Sequence, residues 1–277
     1  MKISDYVKTD VATSFARSSP VVIAALTMIM LIPVCSSIDF ALDSGSIEYK
    51  SLGEYILLIF TGAPPFDISS DSRYFQFPIM WIMECTVFLF VNVNYTDNIY
   101  SAFGCQLAVR SKSRKTLWRI KFISLVLSCI IQLAVFYLTV VIMAAVNGAQ
   151  LTPNISVDFA DMFFYDNDRE TLAALTGRDL SAIMLVPAFS LLTCNIVQSV
   201  LRLYMKAAIS FFTSMCILLA SLYFFTPLLI GNFAMFSRIA PLLSNGLTLR
   251  QALISNGTII VVSYVVGSAR MSKMDFI

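Results

Sequence analysis

The sequence predicts an all-α, polytopic membrane protein with six transmembrane helices in a single domain, 1–277. Three observations carry this. Of the 277 residues, 58% are hydrophobic and 13% charged, against about 25% charged in a soluble domain. Six charge-poor stretches each reach the roughly 20 residues that cross a hydrocarbon core. Lys and Arg fall mainly in alternate connecting segments, as the positive-inside rule requires.

In chain order, residues 1–19 place Ile3, Val7, Val11 and Phe15 four apart, with Lys2, Asp5, Asp10 and Arg17 between them. That spacing predicts an interfacial helix lying on the membrane. Pro20 suits the first position of the next helix. Ile32 and Val34 are too large for a cleavage site, so an uncleaved first span is expected. The spans are predicted near 20–38, 74–95, 121–147, 180–202, 206–227 and 250–269.

The stretch Tyr95–Lys121 is the main basic insert. Arg110, Lys112, Arg114, Lys115, Arg119 and Lys121 face a single Asp97. Tyr100, Phe103 and Leu107 follow the i, i+3, i+7 spacing of a short amphipathic helix near 100–110. Arg114, Lys115, Trp118 and Lys121 suit the lipid headgroup level, where they would anchor the next span. With both termini inside, the inner segments 1–17, 97–121, 202–206 and 270–277 hold 13 of the 19 Lys and Arg. The reverse orientation inverts that bias.

The outer segments differ in character. Residues 39–73 contain EYILLIFTGAPPF, too short to span and expected as an interfacial or packed piece. Residues 148–179 form an acidic loop without the spacing of an EF-hand. Residues 228–249 are apolar but broken by Gly231, Pro241 and Gly246. Irregular backbone of this kind cannot face lipid, so short broken helices packed on protein or at the interface are expected.

The chain has no histidine, which excludes Ser–His triads and His-ligated zinc. No pair of intramembrane aspartates supports an aspartyl protease. Its six cysteines form no C-x-x-C pair and read as small buried hydrophobes. A net charge of +2 carries no nucleic-acid signature. Glu84 is the ionisable residue set deep in a predicted span. It reads either as a structural hydrogen-bonding group, with Gln132, Asn195, Gln198 or Asn256 as partner, or as a group in substrate passage or proton coupling. Trp81 and Phe88 in the second span, and Phe211 and Met215 in the fifth, fit helix packing or an apolar pathway surface.

Ser113-Arg114-Lys115-x-x-Trp118-x-x-Lys121 is similar to the S-R-x-x-W-W-x-x-K pattern that opens the third helix of many bacterial type-two (type V) ABC exporter permeases. Leu117 stands where that family often has a second tryptophan. The overall layout resembles the family as well: an N-terminal interfacial helix, a basic loop after span two, and a broken segment between spans five and six. The resemblance implies a multi-pass protein of the bacterial cytoplasmic membrane with no ATPase site of its own. No G-x-x-x-x-G-K-[ST] sequence is present. The pathway would form with a second permease copy or a related permease. Two separate ATPase subunits would bind ATP and Mg, with membrane lipid around the assembly. Residues 100–110 become the coupling helix, with Tyr100, Phe103, Leu107 and Arg110 against the ATPase. Residues 228–249 become an outer re-entrant hairpin, while Trp81, Glu84, Phe88, Phe211 and Met215 are pathway candidates. The expected cargo is an amphipathic or hydrophobic peptide. The alternative is a membrane assembly, immunity or stress-response protein without transport.

Overall fold

A computed structural model describes residues 6–12, 20–45, 47–66, 77–93, 95, 113–163, 177–240, 242–243 and 245–273. Its regular structure is helical. The β character among the described residues is limited to isolated bridges, Ser51 with Gln150 and Ile239 with Leu247. The helices are α1 (6–12), α2 (Pro20–Asp43), α3 (Leu52–Ile59), α4 (Ile79–Asn92), α5 (Arg114–Val146), α6 (Val157–Phe163), α7 (Gly177–Leu201), α8 (Ala207–Tyr223) and α9 (Leu249–Lys273). Two 3-10 turns, Ile230–Ala234 and Phe236–Arg238, lie between α8 and α9.

Four helices, α2, α5, α7 and α9, are long and apolar enough to cross a membrane. Of these α7 is central: 78% of its apolar window is buried, against 22% for α9. The outer faces of α2, α5 and α9 expose Ile29, Ile32, Leu127, Leu138, Val261 and Val265, as a lipid-facing surface requires.

Local chemistry sets the helix ends. Ser113 caps α5, its hydroxyl accepting from the Thr116 amide at 3.2 Å. Gly148 closes the other end with φ +75°, and Ala149 donates back to the Ala144 carbonyl at 2.9 Å. A left-handed residue there satisfies the last carbonyls, and glycine adopts that conformation without a Cβ penalty. Ser51 and Glu54 form a reciprocal capping box that starts α3.

The helices over the second and fifth expected spans are short. α4 has 14 residues, about 21 Å, and α8 has 17, about 26 Å, at 1.5 Å per residue. A hydrocarbon core is about 30 Å thick. Shorter packed segments, α3 and the two 3-10 turns, sit at the ends of both helices. α3 is buried from Gly53 to Leu57 and at Ile59. Leu58 near its end, and Thr61 and Gly62 just beyond it, line one cleft of about 230 Å3 together with Pro33, Val34 and Ser37 of α2 and Pro78–Trp81 at the start of α4. Pro33 lies ten residues before the end of α2, so this cleft reaches about 15 Å below that end. α4 begins where α3 finishes.

Candidate functional site

Three clusters of polar side chains in this apolar bundle bear on the site. The first is at the end where α1 meets the bases of α5 and α9. Val7 of α1 packs in one cluster with Leu117, Trp118, Ile120, Val200, Leu203 and Met271. Asp10, fully buried, pairs with Lys121 of α5, whose side chain is 3% exposed. The Tyr95 hydroxyl donates to the other Asp10 oxygen at 3.0 Å, and the Lys121 ammonium lies 5.9 Å from the Tyr95 ring centre. Spacing by four along α1 thus produces a buried stripe that carries a carboxylate with it.

The four residues expected at the headgroup level divide into two pairs. Arg114 and Lys115 are exposed, and Arg114 donates to the Ser272 carbonyl at 3.2 Å. Trp118 and Lys121, however, are buried in protein. The Trp118 indole donates to the Tyr264 carbonyl of α9 at 3.0 Å. It lies flat against Gly267, where an added Cβ would come within 2.1 Å of its ring. Tryptophan and lysine at a helix start fit a headgroup layer or a helix–helix seam equally well in sequence. A glycine on α9 decides between them by opening room for the indole.

The second is an amide cluster. Asn92 of α4 donates to Gln132 of α5 at 2.7 Å and to Asn195 of α7 at 2.9 Å, while Gln132 donates back to Asn92 at 3.1 Å. All three side chains are buried. Mutual pairing removes the cost of burying each amide alone.

Glu84 sits two turns above Asn92 on the same face of α4. It is fully buried, and neither carboxyl oxygen has a hydrogen-bond partner among the described residues. None of the four partners expected for it is engaged with it. Gln132 and Asn195 bond Asn92, Asn256 donates to Ser190 and the Ala252 carbonyl, and neither amide atom of Gln198 is bonded to any described group. Tyr137 is near enough to interact with Glu84 electrostatically, but its hydroxyl donates to the Met184 carbonyl at 2.8 Å.

The third joins the chain after α3 to the two 3-10 turns. The Phe236 and Ser237 amides donate to the Phe60 and Thr61 carbonyls at 2.8 and 3.0 Å. Gly62, with φ +69°, lets Met235 pack where a Cβ would collide. Arg238 is fully buried at the centre. Its Nε donates to the Ala63 carbonyl at 2.8 Å, its Nη1 to the Ser221 carbonyl and Asn232, and its Nη2 to the Leu222 and Pro64 carbonyls at 2.9 and 3.2 Å. The guanidinium therefore caps the C-terminal end of α8, where a helix dipole favours a cation. Burial pushes its pKa down to about 10, which still leaves it charged at neutral pH. Arg238 was detectable in advance as the one charge inside an apolar, broken segment that must be buried.

Of the other expected site residues, Tyr100, Phe103, Leu107 and Arg110 lie outside the described residues. Trp81 and Phe88 are each 1% exposed, so within a single chain they pack inward. Phe88 meets Phe136 edge-on at 5.8 Å. Phe211 and Met215 are half-buried on α8, beside α4: Phe90 and Phe211 lie 6.3 Å apart, and Thr86 donates to the Met215 sulfur at 3.8 Å. Asp10, Tyr95, Asn92, Asn232 and Arg238 were not singled out by sequence. Comparison of the chain with family models, curated proteins and solved structures returns no match.

Proposed function

We propose that this chain is the membrane-spanning subunit of an ATP-driven exporter of the type-two ABC family. It pairs with a second copy or a related permease, and two separate ATPase subunits bind ATP and Mg and drive it. In this reading α4 and α8 complete two further crossings with their non-helical ends, giving six. Both termini and the basic insert lie in the cytoplasm of a bacterial cell.

The observation that carries the reading is the pair of short helices. α4 and α8 lie side by side, with Phe90 against Phe211, and both expose apolar side chains: Ile79 at 60% and Phe90 at 64% on α4, Ile209 at 53% and Phe212 at 66% on α8. Both helices fall short of the bilayer thickness, and both end against irregular backbone. Such backbone is tolerated at membrane depth only against protein or along a cavity. A second permease against these side chains supplies the protein, and the interface between the two supplies a path. Its aromatic and thioether surface suits an amphipathic or hydrophobic peptide. The arrangement of α1 under α5, and of a broken segment buried between α8 and α9, agrees with the same family layout.

The test uses the basic insert. The chain is purified from its native membrane together with any ABC ATPase that copurifies, for the wild type and for Phe103→Asp. An unpaired charge in an apolar docking groove is strongly unfavourable, so the variant should insert normally but lose the ATPase. A Phe103→Asp chain that keeps a tight, active complex removes the coupling role from this stretch.

A further inference from the structure

Asp10 is a single acidic side chain bonded to two residues that bracket the basic insert in sequence. Tyr95 follows α4 and opens the insert, while Lys121 closes it in the first turns of α5. One carboxylate oxygen takes the Lys121 ammonium and the other takes the Tyr95 hydroxyl. The Tyr95 hydroxyl also reaches the Lys121 backbone carbonyl at 3.4 Å. Asp10 and the Lys121 side chain are 0% and 3% exposed. Water therefore cannot replace one partner when another leaves. Breaking a buried pair strands a charge, so such a pair behaves as a latch and not as an adjustable surface contact.

We propose that Asp10 is a positioning residue that sets the spacing between the inner ends of α4 and α5. Through it, the N-terminal helix, the residue that enters the basic insert and the helix that leaves it move as one unit. α1 is then not a passive helix on the lipid surface. Its buried face carries the bond that fixes where the insert begins and ends. In the exporter reading, on which this last step rests, that spacing sets how the insert meets the ATPase.

The experiment measures two distances by spin labels in the full chain, with its native cysteines replaced. One pair, Lys8→Cys with Arg119→Cys, reads α1 against α5. The other, Val93→Cys with Arg119→Cys, reads α4 against α5. Wild type should give one narrow distance for each. Asp10→Asn should abolish the narrow distance in both pairs. Tyr95→Phe should abolish it only in the second, because the α1–α5 ion pair remains. If Asp10→Asn disturbs only the first pair, Asp10 merely docks α1 and the proposal is overturned. Should Asp10→Asn fail to fold, the charge exchange Asp10→Lys with Lys121→Asp is read instead. Narrow distances in both pairs then support the latch, and a broad second distance overturns it. These readings need no ATPase. If the distances respond as expected but no ATPase binds, the positioning role stands and the exporter reading falls. If they do not respond, the exporter reading is untouched.

Discussion

Glu84 and Arg238 are both fully buried ionisable side chains in a bundle of low polarity, and they are treated in opposite ways. Arg238 reaches four backbone carbonyls and the Asn232 side chain. Neither Glu84 carboxyl oxygen has a partner among the described residues. Substitutions should separate the two. Arg238→Met removes the donor from several buried acceptors at once and should destabilise by about 3–5 kcal/mol, the scale for breaking a buried charged network. Glu84→Leu removes an unsatisfied polar group and should stabilise by about 1–3 kcal/mol. Thermal unfolding in detergent measures both. Lower stability in Glu84→Leu would show that the carboxyl is engaged after all. If Glu84 serves passage of cargo, that same variant should assemble well and transport poorly.

Among the elements, the seam between α5 and α9 depends on one small residue. Gly267 lies under the Trp118 ring, whereas an added Cβ at Gly257, also on α9, would meet nothing within 4 Å. The two glycines should therefore respond with opposite signs. Gly257→Ala relieves a mid-helix glycine and should stabilise by about 0.5–1 kcal/mol. Gly267→Ala gains the same backbone term but forces the indole off its seat, and overpacking costs about 1–3 kcal/mol. Chemical denaturation of the purified protein distinguishes them, and a stabilised Gly267→Ala would mean that Trp118 can move away freely. The 3-10 turns between α8 and α9 make a related point. Their sequence shows that they must break and be buried. It does not show that they meet the end of α3, since that contact depends on Gly62 and Met235 fitting together.

Across the whole molecule, the basic residues make a prediction about sidedness. Single cysteines at Ser111 and Ser272 should label from the cytoplasmic face only, and one at Asn167 from the opposite face only, as Lys and Arg retention on the inner side requires. Labelling of Ser111 from outside would reverse the orientation and remove the basic insert from any cytoplasmic partner. Helical character was legible throughout, because long apolar runs and capping residues act locally. The lengths of α4 and α8 were less legible. The apolar windows near 74–95 and 206–227 run past both helices, and hydropathy does not distinguish a helix from a packed extended strand of chain.

The sequence by itself determined that this is a helical membrane protein, where its long helices lie, and where its backbone must break. These properties sum over neighbouring residues, so hydropathy and turn chemistry reveal them. Only the tertiary structure decided the pairing of the polar groups. Asp10 finds Lys121 across 111 positions, Arg238 finds Ala63 across 175, and Asn92 takes the amides that Glu84 was expected to use. In an apolar interior a polar side chain bonds the acceptor or donor that packing brings within about 3 Å. Which group that is depends on how the helices cross, and no local pattern in the chain encodes it.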